Sequence, residues 1–289
     1  MRSTKTYFSP TIKLNQKYHS DRALVTGANG GLGLKISLKL AEQGYNIIGT
    51  GRNTEALENA KNEVETKYPK VKFEPLIADF SNYEAGVRLV SEKIEDPKYD
   101  VKIFIINAGY GIFDPFITLE NKKIHDFINT MCTTYAQLAR EIINKNKNII
   151  YHSKNDRCLL YFTSSALADM STPHSALYCA VKAYDSALAS HLSIEKYGKN
   201  LDITAMQPGL FSNSKFFSRF SNSQEKSLDT GKLFPTSDEV CEYVMKTLGK
   251  SKIVDCSANA IIGRVFLWII GEYPAYLLGK FLANLDSKK

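Results

Sequence analysis

The stretch TGANGGLG at residues 26–33 follows the apolar run ALV and leads into a helical pattern. Because glycine lacks a Cβ atom, Gly27, Gly31 and Gly33 allow the chain to turn tightly from a strand into a helix. The same absence lets the backbone approach a pyrophosphate group at the helix N-terminus. A glycine-rich turn directly after a first strand therefore predicts a dinucleotide-binding site; a turn with only a structural role is the alternative.

Outward from this turn, short β-rich runs alternate with longer helical stretches. Runs such as KIFII and LLYF are apolar throughout, as expected for strands that are covered on both faces. The alternation predicts a doubly wound parallel sheet of seven strands with helices on both faces. The candidate strands are 23–27, 45–51, 71–79, 101–107, 158–165, 201–207 and 252–256. The candidate helices are 31–43, 54–67, 83–94, 119–144, 176–197 and 238–248.

Length and composition are those of an ordinary globular protein. The 289 residues fit one large domain, with 44% hydrophobic and 23% charged residues. The net charge of +7 comes from scattered lysines. It indicates either a solvated basic surface or affinity for an anionic ligand such as a phosphorylated cofactor, a CoA thioester or an acidic membrane. The cysteines and histidines lack metal-ligand spacing, so no metal site is predicted.

The end of the second strand indicates which dinucleotide is bound. A carboxylate usually stands there when the cofactor is NAD, because it accepts hydrogen bonds from the ribose diol. This chain has GTGRN, with Arg52 and no acidic residue before Glu55. A guanidinium binds a 2′-phosphate in bidentate fashion, whereas a carboxylate would repel it. We therefore predict a preference for NADP(H) over NAD(H); a surface charge without this role is the alternative.

Three motifs make the chain similar to a known family. They are TGxxxGxG at 26–33, Asn-Ala-Gly at 107–109 after the fourth strand, and YxxxK at 178–182. With these motifs in this order, the chain resembles the short-chain dehydrogenase/reductase family from about residue 22 to residue 256. The resemblance implies a Rossmann fold, a nicotinamide cofactor and a catalytic tetrad of asparagine, serine, tyrosine and lysine.

The YxxxK spacing occurs three times, at Tyr68, Tyr178 and Tyr276, so the surroundings must identify the catalytic pair. In the family the serine lies thirteen residues before the tyrosine, and counting back from Tyr178 gives Ser165. The other two tyrosines give a glutamate and a glycine, and a proline after Tyr68 disfavours a helix there. Tyr178 and Lys182 stand one turn apart in a good helical stretch. The middle pair is therefore predicted to be catalytic.

The fourth member of the tetrad falls in the long helix predicted after residue 109. Asn129 matches the family asparagine, which holds the helix open for a water linked to the lysine. The family commonly has a glycine three residues later, where this chain has Cys132. The predicted catalytic residues are thus Asn129, Ser165, Tyr178 and Lys182.

The resemblance also assigns contacts to the cofactor. Asp79 matches the acid that usually contacts the adenine, and Pro208-Gly209 matches the turn beside the nicotinamide. Where the family often continues to a threonine, this chain has LFSN, so Asn213 or Ser212 would contact the carboxamide. The predicted cofactor-binding residues are Thr26, Gly27, Asn29, Gly30, Gly31, Leu32, Gly33, Arg52, Asn53, Asp79, Phe80, Asn107, Ala108, Gly109, Tyr178, Lys182, Pro208, Gly209, Leu210 and Asn213.

The tetrad implies a reaction mechanism. In reduction Tyr178 would donate its proton to a carbonyl oxygen as hydride arrives from the nicotinamide, and Ser165 would hydrogen-bond the same oxygen. A free tyrosine has a pKa of about 10, which we expect Lys182 and the oxidised nicotinamide to lower by roughly three units. Lys182 would also hold the nicotinamide ribose and, with Asn129, carry the proton to solvent through water.

The candidate pocket segments indicate the substrate class. Residues 110–116 and 167–170 are largely apolar, which favours a hydrophobic ketone or aldehyde. The longer segment 210–235 predicts a mobile lid, with a disordered surface loop as the alternative. We therefore predict an NADP(H)-dependent carbonyl reductase. A 3-oxoacyl thioester reductase acting on CoA or carrier-protein substrates is one alternative, and a non-catalytic dinucleotide-sensing protein is another.

An apolar C-terminal extension over 257–289 follows the core at 21–256, and we expect the two to form one domain. The extension is predicted to be helical, and its apolar runs are too interrupted to span a bilayer. It could cover the pocket, lie in a membrane interface or form an oligomer contact. We expect a small hydrophobic carbonyl substrate, a homo-oligomer (dimer or tetramer) and no nucleic-acid partner. The expected location is cytoplasmic, with peripheral membrane contact through the extension left open.

Overall fold

The computed structural model describes residues 13–170, 174–195, 197, 199–209, 235–250 and 253–255. The strands are β1 (Arg22–Val25), β2 (Asn46–Gly51), β3 (Phe73–Ile77), β4 (Val101–Ile106), β5 (Cys158–Thr163), β6 (Leu201–Gln207) and β7 (Ile253–Asp255). They form one sheet in the order β3-β2-β1-β4-β5-β6-β7, and every neighbouring pair is parallel. The chain starts in the middle, builds one half and then crosses over to build the other. This order confirms the predicted doubly wound fold.

Helices cover both faces of this sheet. They are α1 (Leu14–Tyr18), α2 (Gly31–Glu42), α3 (Thr54–Lys67), α4 (Tyr83–Glu95), α5 (Asn121–Ile128), α6 (Thr134–Lys145), α7 (Lys147–His152), α8 (Ala176–Leu192) and α9 (Ser237–Thr247). The apolar sides of α1, α2, α3 and α9 share one buried core with the sheet. The apolar sides of α4, α6 and α8 share the core on the opposite face. The prediction of a three-layer α/β protein is therefore confirmed.

Alternate residues of one strand contribute to opposite cores. In β4, Ile103 and Ile105 belong to the first core, whereas Phe104 and Ile106 belong to the second. Every residue of β4 and of β5 is buried. Burial on both faces explains why these two strands are largely apolar rather than alternating, with the buried Lys102 of β4 as an exception.

The register of the central strands brings three motifs to one edge of the sheet. Val25 of β1 stands opposite Ile105 of β4, and Ile105 stands opposite Tyr161 of β5. Since all three strands are parallel, their carboxyl ends lie at the same edge. The glycine-rich turn at 26–33, the 107–109 segment and the serine after β5 therefore come together there, as expected for ligand sites in this fold class.

The helical stretch predicted over 119–144 is present, but it is not one regular α-helix. The chain forms α5, a π-helical turn at Asn129–Thr133 and α6 in succession, and the separate short helix α7 follows. At the start of the π-turn, the Thr130 hydroxyl donates a hydrogen bond to the Asp126 carbonyl at 2.7 Å. A threonine side chain that bonds the preceding turn competes with the regular helical ladder, and π-turns occur where that ladder is interrupted.

Helix α1 was not predicted, because five residues are too few for a helical period to show. Its Leu14 and Tyr18 side chains are fully buried. The Tyr18 hydroxyl donates to Asp202 of β6 at 3.0 Å. Arg157 also donates two hydrogen bonds to this carboxylate, at 2.7 and 3.2 Å. The segment before β1 is thus attached to the amino edge of the sheet, opposite to the edge that carries the motifs.

Several predictions fall outside the described residues. They concern the lid at 210–234, the cofactor contacts of Leu210 and Asn213, and the apolar extension at 257–289. The single-domain assignment also stays a prediction. Within the described part of the chain, none of the helices combines the length and the apolar character needed to cross a membrane.

Candidate active site

The glycine-rich turn joins β1 to α2 in a conformation that needs three of its glycines, and Gly31 has a φ of +53°. Gly27 has a φ of +67°, in the left-handed region that side chains other than glycine rarely adopt. A Cβ atom on Gly33 would stand 2.1 Å from the carbonyl oxygen of Gly27. Gly27 therefore makes the turn, and Gly33 lets the start of α2 pack directly against it.

The space above this turn is open. A Cβ atom on Gly30 or Gly31 would meet no atom of the described residues within 4 Å. Gly30 is the N-cap of α2 and provides no side-chain cap, so the first N–H groups of the helix are not covered by that residue. Uncovered helical N–H groups beside open space suit an anion such as a pyrophosphate.

Thr26 joins the turn to the 107–109 segment. Its buried hydroxyl accepts hydrogen bonds from the backbone N–H groups of Asn107 at 2.8 Å and Ala108 at 2.9 Å. The Asn107 side chain donates to the Thr26 carbonyl at 3.1 Å. Two motifs that are 81 residues apart in the chain are thus held together by three hydrogen bonds. Thr26 and Asn107 serve here to shape the site, and Gly109 packs closely on Met131.

The residues after β2 and β3 lie at the same edge. Arg52 is exposed and stands over the ring of Tyr110, 5.8 Å from the ring centre. Asn53 caps α3, because its side-chain oxygen accepts from the Ala56 N–H at 2.8 Å. Asp79 is exposed and accepts from both the N–H and the hydroxyl of Ser81. Arg52 and Asp79 are therefore placed for contact with a ligand, while the side-chain oxygen of Asn53 is already used.

Four other predicted cofactor contacts have structural neighbours. The Leu32 side chain packs against the first core, which leaves its backbone for a ligand. The Asn29 side chain lies against Gly51, where a Cβ atom would approach it to 2.9 Å. Phe80 is buried in the second core, and the Pro208 carbonyl accepts from the Ala166 N–H at 2.9 Å.

Ser165 and Tyr178 meet at the centre of this edge. Ser165 follows β5, is 7% exposed, and its hydroxyl accepts from the Leu167 N–H at 3.2 Å. Tyr178 on α8 is a hydrogen-bonding neighbour of Ser165, and this neighbour lowers the pKa of the Tyr178 hydroxyl. The two side chains are thirteen residues apart in the sequence, and the fold brings them together at the end of β5.

Lys182 lies one turn further along α8 and is 4% exposed. Its ammonium group donates to the Thr163 carbonyl at 2.7 Å and to the Asp185 carboxylate at 3.0 Å. Ser164 fixes the backbone here, because its hydroxyl donates to the Lys182 carbonyl at 2.7 Å. The sequence motif identified the lysine but neither the carboxylate paired with it nor the serine that holds its helix against β5.

Asn129 stands where α5 changes into the π-turn, which packs against α8. Its side-chain amide donates to the Ser81 carbonyl at 3.3 Å. The chain thus has an opened helical turn at Asn129 although Cys132 replaces the glycine common in the family. The prediction of a distorted helix at this residue agrees with the structure; the catalytic role of Asn129 stays a prediction.

Burial is the main influence on the pKa of Tyr178 and raises it above the ordinary value of tyrosine. The neighbouring Ser165 opposes the rise, and the charge of Asp185 adds to it. The ammonium group of Lys182 is paired with the Asp185 carboxylate. The lowering expected from Lys182 together with an oxidised nicotinamide stays a prediction.

An apolar cluster surrounds the Tyr178 ring. The Phe113 ring lies 5.3 Å away and the Phe127 ring 6.5 Å away, measured between ring centres. Ile112, Met131 and other apolar side chains of the segments after β4 and β5 complete the cluster. Apolar side chains of the 110–116 segment therefore lie beside the Tyr178 ring, as the sequence predicts.

The chain matches the family model described as short chain dehydrogenase over residues 21–225, which is more than half of its length. The chain therefore belongs to the short-chain dehydrogenase family of oxidoreductases. It is 25% identical to hydroxysteroid dehydrogenase-like protein 1 of Gallus gallus, over 80% of this chain and 66% of the relative. It is 29% identical to a very-long-chain 3-oxoacyl-CoA reductase-like protein of Arabidopsis thaliana, over 81% of this chain and 72% of the relative.

Among solved structures, a short-chain dehydrogenase from Sphingobium yanoikuyae in complex with NADPH superposes with a TM-score of 0.68 at 18% identity. The superposition covers 86% of this chain and 94% of that one, which shows a shared fold. The chain spans about half to three-quarters of the length of the curated relatives it matches.

Proposed function

We propose that this protein is an NADP(H)-dependent oxidoreductase that reduces the carbonyl group of a hydrophobic substrate to an alcohol. The observation that carries the proposal is the position of Ser165 beside Tyr178 and next to Lys182, at the edge of the sheet that also holds the glycine-rich turn. A hydroxyl pair at this place offers two hydrogen-bond donors to one carbonyl oxygen.

The residues present fit a dinucleotide. The open space beside Gly30 and Gly31 at the start of α2 suits a pyrophosphate, and the exposed Asp79 suits an adenine amino group. The Arg52 guanidinium suits a 2′-phosphate, and its position over the Tyr110 ring limits its side-chain freedom. The solved structure from Sphingobium yanoikuyae, which has the same fold, is an NADPH complex, and this supports the same cofactor. A bound nicotinamide would supply the hydride.

Tyr178 acts as the proton donor in this reaction. Its raised pKa keeps the hydroxyl protonated at neutral pH, which is the form that reduction requires. The proton passes to the carbonyl oxygen as the carbon accepts hydride, and Ser165 stabilises the developing negative charge by a second hydrogen bond. The phenolate left behind regains a proton from solvent, by a path that begins at Lys182 and the opened turn at Asn129.

The apolar cluster determines the substrate class. The rings of Phe113 and Phe127 lie 5.3 and 6.5 Å from the Tyr178 ring and make its surroundings apolar. A substrate with apolar groups on both sides of its carbonyl would bury them there, at a gain of about 25 cal/mol per Å² of apolar surface. This surface favours a hydrophobic ketone or aldehyde over a sugar.

A 3-oxoacyl thioester reductase is the second candidate function. The Arabidopsis thaliana relative carries the name of a very-long-chain 3-oxoacyl-CoA reductase-like protein. The same apolar cluster would accept an acyl chain, and the net charge of +7 would favour an anionic CoA or carrier protein. A dinucleotide sensor without catalysis is disfavoured, because Ser165, Tyr178 and Lys182 are all present and adjacent.

The experiment is an assay of NADPH oxidation by the purified full-length chain. The panel contains hydrophobic ketones and aldehydes, 3-oxoacyl-CoA esters of matched chain length, and the same acyl groups on a short thiol that lacks the nucleotide. Turnover of simple ketones supports the first function. A preference for the CoA esters over the short thioesters supports the second. NADPH binding without turnover of any carbonyl would overturn both and favour the sensor.

A further inference from the structure

Asp185 lies on α8 one turn after Lys182 and is fully buried. Its Oδ2 atom accepts a hydrogen bond from the Lys182 ammonium group at 3.0 Å. Its Oδ1 atom, also buried, has no hydrogen-bond partner among the described residues. A carboxylate held in this way is in direct contact with the predicted catalytic lysine, yet the YxxxK motif does not include it.

The charge of Asp185 acts on several groups around the site. On its own helix these are Lys182, Tyr178 and the half-exposed Tyr184. From the π-turn and α6, which pack against α8, they are Cys132 and Tyr135. The pKa values of the three tyrosines and of Cys132 are raised first by burial and further by the Asp185 charge. Among these groups, Lys182 carries the positive charge that pairs with the carboxylate.

We propose that Asp185 is a positioning residue of the reaction, which holds the Lys182 ammonium group against β5 and limits the effect of its charge on Tyr178. The inference rests on the proposed function, because it assigns a part in the same proton transfer. Asp185 itself does not touch the reacting atoms; it acts through Lys182.

Stability alone does not account for this carboxylate. A buried ion pair gains little over well-packed apolar side chains of similar volume, because both charges lose their hydration. An unpartnered buried oxygen such as Oδ1 adds a further cost. Apolar residues at both positions 182 and 185 would therefore support the fold at least as well as the ion pair. The carboxylate matters instead for the neighbour that it holds.

The geometry leaves Lys182 with one donor for the reaction. An ammonium group has three N–H donors, of which one goes to Thr163 and one to Asp185. These two contacts fix the direction of the third. They also place a negative charge beside the positive one, so that the pair as a whole is close to neutral. Tyr178 then stays protonated at neutral pH, and the resting site is set for reduction.

The first test is the pH dependence of reduction by Asp185→Asn. Asparagine keeps the size of the side chain but removes its charge, so the Lys182 charge is no longer compensated. Tyr178 should then lose its proton at lower pH. The alkaline limb of the kcat/KM profile should shift to lower pH by about one unit relative to wild type. An alkaline limb at the wild-type pH, or one shifted to higher pH, would overturn the proposal.

Asp202→Asn is the matched control. Asp202 is also an aspartate in an ion pair, with Arg157 at 2.7 Å and Lys17 at 3.0 Å, but it lies at the opposite edge of the sheet. This variant should lower the unfolding temperature and leave the alkaline limb in place. A purely structural role of Asp185 would give the same result as this control.

A second measurement covers the case in which Asp185→Asn does not fold. The carboxyl carbon of Asp185 is followed by NMR during a pH titration of the wild type and of Lys182→Met. In Lys182→Met the loss of the paired charge should raise the titration midpoint of the Asp185 carboxyl by about one pH unit or more. Equal midpoints in the two proteins would overturn the proposal. Since this titration needs no turnover, it also separates a failure of this inference from a failure of the proposed function, in which the wild type would show no carbonyl reduction.

Discussion

At the residue scale, the site depends on a few polar side chains that reach the same sheet edge from different parts of the chain. Ser165 comes from the end of β5, and Tyr178 and Lys182 come from α8. Their contacts are short and mostly buried. In such a site a single atom decides the chemistry, so conservative substitutions give clear tests.

Tyr178→Phe removes the proton donor while keeping the ring that packs against Phe113. We expect reduction to fall by about 10²–10⁴-fold, the usual contribution of a general acid, with NADPH affinity nearly unchanged. Steady-state kinetics and a binding titration measure the two effects. Tyr68→Phe is the control, because Tyr68 ends α3 and packs on the first core. Retention of more than about a tenth of the activity would contradict the assignment of Tyr178.

Arg52→Ala tests the choice of cofactor. A charge-assisted contact to a phosphate contributes about 1.5–3 kcal/mol, so NADPH should bind about ten- to hundredfold more weakly. NADH, which lacks the 2′-phosphate, should be affected little. The comparison requires dissociation constants for both nucleotides at one salt concentration. Arg88→Ala is a control for general loss of positive charge, since Arg88 is an exposed arginine on α4. Equal weakening of both nucleotides would show that Arg52 does not contact the phosphate.

The residue scale is also where sequence reasoning had its clearest limits. Motif spacing identified Ser165, Tyr178 and Lys182, because the fold fixes where strand ends and helix turns lie. Asp185 could not be found in this way, since an aspartate three residues after a lysine on a helix is normally a surface ion pair. The burial of this pair shows only in the structure, where the π-turn packs against α8 and the Tyr135 ring of α6 lies 5.5 Å from the Lys182 ammonium group.

At the scale of elements, the turn between β1 and α2 offers a paired test. In Gly33→Ala the new Cβ atom would collide with the backbone of Gly27, so the chain must shift. We expect the free energy of unfolding to fall by about 1–3 kcal/mol, the range for overpacking. Thermal unfolding without nucleotide measures this loss.

Gly30→Ala is the matched variant at the last residue of the turn before α2. Gly30 has an extended backbone with a φ of 161°, and its Cβ would point into open space. The fold should keep its unfolding temperature, while the methyl group would reduce NADPH affinity if the pyrophosphate lies there. Equal loss of stability in both alanine variants would contradict this description of the turn.

Helix boundaries were predicted to within a few residues where a glycine, a proline or a strand follows. The bounds of the stretch 119–144 were also close, but its π-turn could not be predicted from the pattern, because hydrophobic periodicity is nearly the same for an α-helix that contains a π-turn. The turn shows in the backbone, where the Thr134 N–H donates to the Asn129 carbonyl five residues earlier. The family resemblance pointed to a distortion at Asn129, and the structure has one there.

At the scale of the whole molecule, Asp185 should influence how stability depends on pH. Burial raises the pKa of this carboxyl to about 7, although Lys182 opposes the rise. Below about pH 4 the folded and unfolded states are both protonated at this group. Between that pH and about 7 the folded state holds one more proton, so this group's contribution to stability is lost as pH rises.

Asp185→Asn removes this contribution at every pH. Its unfolding temperature should therefore rise relative to that of the wild type as the pH increases from about 5 to about 7.5. Thermal unfolding of the two proteins across this range makes the comparison, and Asp202→Asn again serves as the control. A constant difference between wild type and Asp185→Asn would show that the carboxyl does not titrate differently in the folded state.

The doubly wound sheet itself was predictable from the sequence. Strands buried on both faces are apolar throughout, and the crossovers are long enough to form helices. Helix α1 was not predictable, because its stability comes from partners on distant elements rather than from its own five residues. Its Tyr18 bonds to Asp202, 184 residues later in the chain.

The separation of 184 residues between Tyr18 and Asp202 has a consequence while the chain is being synthesised. A nascent chain that has left the ribosome up to β5 contains α1 and most of the sheet but not yet Asp202. Until β6 is made, Tyr18 lacks the carboxylate that binds it, and its apolar surface stays available to chaperones or to other chains. Helix α1 is therefore expected to complete its docking only after most of the sheet has been synthesised.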